Sequence, residues 1–245
     1  MSYYTGSVTP VPTANRASYL AWVSAAWKVF QAHGALRMVE TWGVDVPHGT
    51  LTDFHRAVQA SEDETVVFAW IEWPDRAFAD AAWQAVMQDP AMHALPPMPC
   101  DGKRMIHGGF APVLADGASA GGGWYQGFVL VVPTANKDAY IRMARQVWPM
   151  FADTGALGTV EAWGEDVPRG ERTDFYRATH AGDGETAMFS WICWPDRATC
   201  EAAATAMESA GSDMDMSQMP FDGKRMFWGG FEPLFDSAAQ APAAT

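Results

Sequence analysis

Polar residues that could do chemistry recur in this chain at one fixed interval. Glu40 and Glu161, Asp53 and Asp174, Arg56 and Arg177, Lys103 and Lys224, and Arg104 and Arg225 each stand 121 positions apart. A carboxylate and an arginine among apolar strands are costly to bury alone. They form either a strand-to-strand ion pair, such as Glu40 with Arg56 or Arg104, or the polar end of an apolar pocket. If Ala35–Gly43 and Thr65–Trp73 are strands, alternation puts Met38, Glu40 and Trp42 on one face and Phe68, Trp70 and Glu72 on another. The candidate ligand-binding residues are therefore Glu40, Trp42, His55, Arg56, Trp70 and His107 in the first copy. Glu161, Trp163, Arg177 and Trp191 join them from the second. A tryptophan stripe with a few converging polar groups suits a small, partly apolar organic molecule; the same stripe also suits a plain core.

Among the positions where the copies differ, three on expected strands carry groups that could do chemistry: His55 against Tyr176, Glu72 against Cys193, and His107 against Trp228. Read as strand residues, two histidines and a carboxylate could form a facial metal site in the first copy, if their side chains converged. No local ligand spacing accompanies them. Packing accounts for the same residues, so no metal or other cofactor is expected and catalytic residues stay unassigned. The sequence has no phosphate-cradling GxxxxGK[ST], no GxGxxG after a strand and no serine–histidine–aspartate order. Cys100, Cys193 and Cys200 show no CxxC spacing and suit a reducing cytoplasm.

The elements that must hold these residues also come in pairs. TDFHRAVQASEDETVVFAWIEWPDRA at Thr52–Ala77 returns as TDFYRATHAGDGETAMFSWICWPDRA at Thr173–Ala198. A strand at Tyr3–Val11 stops at Pro12. A helix follows, with Tyr19, Val23, Ala26, Trp27 and Phe30 at helical spacing and Gly34 as its stop. After the strand at Ala35–Gly43, a hairpin is expected of Phe54–Ala60 and Thr65–Trp73. Asp75 should cap a second helix running to about Gln88, and a last strand should span Lys103–Val113. TVVFAWIEW is apolar on both pleat faces, so helices must cover one face and more protein the other. The repeating order is that of an α+β, ferredoxin-like unit.

The runs VPTAN, GALRMVETWG, TDFHRA, ETVVFAWIEWPDRA and MPCDGKRMIHGGF resemble the YbaA-like bacterial family, domain of unknown function 1428. The likeness covers nearly all of each copy. It implies a dimeric α/β barrel in which two ferredoxin-like units pack sheet to sheet. In a tandem chain those units could close the barrel within one molecule, an intramolecular pseudo-dimer expected as a monomer or weak oligomer. The family brings no established activity.

The expected divisions are 1–116 for the first unit, 117–123 for a glycine-rich linker, 124–236 for the second unit and 237–245 for a disordered tail. The formal charge of −13 makes nucleic acid or an anionic membrane an unfavourable partner. No apolar run approaches the ~20 residues that cross a bilayer, so a cytoplasmic protein is expected. Three functions follow from these readings: a small-molecule binder, a cofactor-free or metal-assisted oxygenase- or isomerase-type enzyme, and a structural or interaction protein whose tryptophans pack on one another.

Overall fold

The computed structural model describes residues 2–118, 121–209 and 219–240. The first copy forms β1 (Tyr3–Pro12), α1 (Arg16–Ala32), β2 (Arg37–Asp45), α2 (Phe54–Ala57), β3 (Glu64–Trp73), α3 (Arg76–Gln88), α4 (Pro90–His93) and β4 (Ile106–Gly117). The second forms β5 (Trp124–Pro133), α5 (Lys137–Asp153), β6 (Gly158–Asp166), α6 (Phe175–Ala178), β7 (Glu185–Trp194), α7 (Arg197–Ser209) and β8 (Phe227–Asp236).

Two local expectations need correction. Phe54–Ala60 is not a strand. Asp53 accepts the Arg56 amide at 2.7 Å and nucleates the single turn α2, as Asp174 does for α6. Phe54, Ala57 and Val58, the buried residues there, already carry helical spacing. Lys103 and Arg104 likewise lie in a 3₁₀ turn started by Asp101, which accepts the Lys103 amide, and β4 begins only at Ile106. By contrast, α1 stops as expected before Gly34, whose φ of +85° suits glycine, and Asp75 caps α3.

The strands close into one antiparallel barrel in the order β1, β3, β2, β8, β5, β7, β6, β4. Its seams are β2 with β8 and β4 with β6, so each unit completes the sheet of the other. This is the tandem, intramolecular form of the dimeric α/β barrel. Both seams shift register beside a proline: Pro233 opposite Thr41, and Pro112 opposite Ala162. Proline cannot donate to a ladder, so a bulge is where a paired strand can carry it. These shifts fall beside Glu40 and Glu161, and each seam has a second one, at Gly43/Asp45 and at Gly109/Phe110.

The doubly apolar strand β3 faces two cores. Val67, Ala69, Ile71 and Trp73 lie beneath α1 and α3, while Val66, Phe68 and Trp70 fill the barrel. Phe68 stacks on Phe189 at 4.2 Å between ring centroids, and Trp70 on Trp191 at 4.3 Å. Phe54 and Phe175, carried by α2 and α6, pack edge-on against this column from one mouth. Each such ring pair contributes roughly 0.5–1.5 kcal/mol beyond the area it buries. Gly109 and Gly230 let rings cross the strands: a Cβ there would stand 2.1 Å from the Tyr3 hydroxyl and 2.4 Å from the Trp124 ring.

At the other mouth Arg37 grips Asp236 with two hydrogen bonds, of 3.0 and 2.7 Å, tying the end of β8 to β2. Of the tail expected to be disordered, Ser237–Gln240 form a 3₁₀ turn whose Ser237 hydroxyl accepts the Met38 amide. The remainder, 241–245, lies outside the described residues.

Candidate functional site

The barrel places a helix over each half-sheet, and beneath each helix a glutamate meets a tyrosine, Glu40 buried and Glu161 half-buried. Tyr19 on α1 donates to Glu40 on β2 at 2.9 Å, and Tyr140 on α5 donates to Glu161 on β6 at 2.6 Å. Burial pushes the Glu40 carboxyl up to about 7, against the opposing hydrogen bond from Tyr19. Glu161 is raised for the same reason, opposed by Ser190 and Tyr140. Both tyrosine hydroxyls sit well above their ordinary range, through burial and the neighbouring carboxylate.

The compartments around these pairs are not alike. In the first unit Tyr19, Val23, Ala26, Trp27, Val29 and Phe30 of α1 are all buried, and Trp22 bonds the Pro96 carbonyl. In the second unit α5 buries only Tyr140 and Ala144. Ala144 stands where the first unit has Val23, and Met143 where it has Trp22. Pro149, in place of Lys28, also removes a helical N–H from α5.

Beneath α5 lies a hollow of about 150 Å³. Phe128, Leu130, Met143, Phe151, Ile192 and Phe221 give it apolar walls; Glu161, Tyr140 and Ser190 give it one polar side. A further space of about 60 Å³ reaches the same carboxylate past Trp148 and Thr159. Ser190 is 1% exposed and stands close enough to ease the charge on Glu161, yet its hydroxyl has no hydrogen-bond partner among the described residues. The first unit has Ala69 at that position.

The expected cavity of Glu40, Trp42, Arg56 and Trp70 is distributed over three places. Glu40 and Trp42 lie under α1, with Arg16 above the Trp42 ring at 5.5 Å. Trp70 lies inside the barrel on Trp191, and Arg56 sits at the barrel mouth, where it binds the Gly49 and Thr50 carbonyls. The reason is register: Trp70 pairs with Val39 across β2, and residues directly opposite share a face. The same holds for Glu161 and Trp163 under α5, Trp191 inside the barrel and Arg177 at the mouth. Nor does Glu40 pair with Arg56 or Arg104. Arg104 binds Glu64 at 2.6 Å and Asp101 at 3.0 Å.

His55, Glu72 and His107 do not converge. His55 in α2 faces the Val46 carbonyl and the His48 ring, and Glu72 accepts from Ser2 at the opposite mouth. His107 is exposed on the outside of β4, in an open groove of about 420 Å³ with Tyr3, Asp80 and Asp166. Among the described residues no three His, Cys, Asp or Glu side chains are grouped to hold a metal ion. The hollow's Ser190, Tyr140 and methionines were missed in the sequence. Their signal is the asymmetry at fixed offset: serine for alanine and methionine for tryptophan on otherwise matching elements.

The family model for "Protein of unknown function (DUF1428)" matches residues 2–102 and 123–223. "Uncharacterized protein YbaA" of Escherichia coli K12 is 47% identical over 115 residues, which are 46% of this chain and 98% of that protein. A candidate monooxygenase from Fusobacterium nucleatum superposes with a TM-score of 0.59 at 12% identity, covering 96% of this chain and 93% of its own. An anthrone oxidase-like protein gives 0.55 at 11% identity, covering 100% and 97%. These two likenesses concern the fold. No described helix is long and apolar enough to cross a membrane.

Proposed function

This chain belongs to the DUF1428 family, whose domain it carries twice, and we propose that its second copy is a receptor for a small, mostly apolar organic molecule held beneath α5. The observation that carries this reading is the buried Ser190 hydroxyl, without a hydrogen-bond partner among the described residues, beside Glu161 on the wall of a hollow of about 150 Å³. An apolar cavity of about that size takes a benzene-sized molecule. The polar side adds selection. Glu161 accepts a hydrogen bond whether ionised or protonated, and Ser190 both donates and accepts, so the preferred ligand has one ring and one hydroxyl or amine. Met143, Met219 and Met226, being unbranched and polarisable, adapt the walls to its shape.

Equilibrium titration of the full chain with phenol and benzene tests this. Phenol should bind at least roughly tenfold more tightly, the equivalent of one net hydrogen bond to a charged or strongly polar group. Glu161→Gln should reduce that preference. Equal affinity for the two rings, or no binding of either, contradicts the proposal.

One observation favours a second reading, an enzyme of oxygenase type that begins by taking a proton. Burial raises the pKa of Glu161 and so makes it a stronger base beside an apolar space. Oxygen uptake with a polyhydroxylated aromatic as probe, lost in Glu161→Gln while binding persists, would support catalysis. Binding without uptake would leave the receptor.

A further inference from the structure

At the mouth plugged by α2 and α6 the two units meet in a groove of about 360 Å³. Its walls are paired by the repeat: Thr52 with Thr173, Arg56 with Arg177, and Gln59 with His180. The units are pinned there reciprocally, since Thr52 donates to the Ala178 carbonyl at 2.5 Å and Thr173 to the Ala57 carbonyl at 2.6 Å. Arg172 adds a third guanidinium, where the first unit has Leu51. In a chain of net charge −13, three arginines around one groove run against the overall balance.

Arg56 and Arg177 are held in place before any ligand arrives. Arg56 uses Nη1 on the Gly49 and Thr50 carbonyls and Nε toward Asp53 at 3.5 Å. Arg177 repeats this with Gly170, Glu171 and Asp174. The Nη2 groups of both have no partner among the described residues. Asp53 and Asp174 are buried and also accept the amides that start α2 and α6, so each is shared between its arginine and the backbone. Among the described residues Arg172 reaches only Asp101, at 3.8 Å. Gln59 and His180 are the two non-glycine residues at positive φ among the described residues, both +52°. Their carbonyls are fixed by Arg104 and Arg225, each clamped bidentately on Glu64 or Glu185. Side chains in that conformation are uncommon and are retained where the surroundings over-determine them, often at binding sites.

We propose that this groove binds a small organic dianion with an anionic group at each end, one end on Arg56 and the other on Arg177 with Arg172. The fork geometry of guanidinium matches a carboxylate in two bonds, and placement on the pseudo-two-fold favours a two-ended ligand over a single oxyanion. This site is separate from the hollow beneath α5 and stands or falls independently of it.

Calorimetric titration of the full chain at low ionic strength, with succinate and with inorganic phosphate as probes, tests it. Succinate should bind one to one, more tightly than phosphate, and weaken as salt is added. Arg172→Gln should weaken succinate roughly tenfold, a difference of about 1.4 kcal/mol. Arg172 makes no hydrogen bond among the described residues, so the variant should keep its fold, checked by circular dichroism. Absence of saturable succinate binding, phosphate binding more tightly than succinate, or unchanged affinity in folded Arg172→Gln would each overturn the proposal.

Discussion

Glu40 shows how far a single residue can be read from sequence and where that reading stops. Its place on an apolar strand marked it as a group needing a partner, but an arginine was the expected partner and a tyrosine is the actual one. The difference matters because a hydroxyl offsets less of the cost of burying charge than a guanidinium does. With its folded pKa near 7 and an ordinary value of 4.5, Glu40 binds its proton more tightly in the folded state. Its contribution to stability is therefore fully present below about pH 4.5, falls as pH rises and is lost above about 7, by on the order of 3 kcal/mol. Glu40→Gln should accordingly match the wild type in urea unfolding at pH 4.5 and exceed it at pH 8. Equal destabilisation at both pH values would show that the carboxylate is better compensated than its surroundings suggest.

Elements carry the contrast between the units. The helices at α1 and α5 share the tyrosine and the terminal glycine stop, so their existence and ends were legible. Their packing was not, because it depends on volumes spread over Val23 against Ala144 and Trp22 against Met143, which only contact in space converts into a hollow. The same limit explains α2: a strand and a single helical turn both suit a short half-apolar run, and the Asp53 cap decides between them. Met143→Trp, which imports the first unit's residue, should fill the hollow and remove phenol binding without lowering the melting temperature; retained binding would place the ligand elsewhere. Pro149→Lys restores a helical N–H and should stabilise the chain by roughly 1–3 kcal/mol in thermal unfolding. No gain would mean that α5 is not limited by that missing bond.

At the scale of the whole molecule, the repeat and the doubly apolar β3 were sufficient to anticipate a barrel closed by both units. The sequence did not show that the barrel interior is filled, since Phe68 with Phe189 and Trp70 with Trp191 meet only when the two sheets face each other. The barrel is thus the structural centre, and space for ligands lies outside it. Separation of the units should expose that aromatic column and the free edges of β2 and β4. The first unit expressed alone to residue 117 should therefore dimerise or precipitate, as read by light scattering. A stable, well-folded monomer would contradict the shared barrel.

The central claim is that one of two homologous compartments holds a ligand-sized space and the other is packed. Methionine methyl groups report on both: Met143, Met219 and Met226 line the second hollow, and Met98 and Met105 occupy the corresponding places of the last two in the first unit. The decisive measurement is a ¹³C-methyl-methionine NMR titration of the full chain with phenol. Saturable shifts in Met143, Met219 and Met226, with Met98 and Met105 unmoved, are the predicted result. Equal shifts in both sets, or none in either, would contradict it.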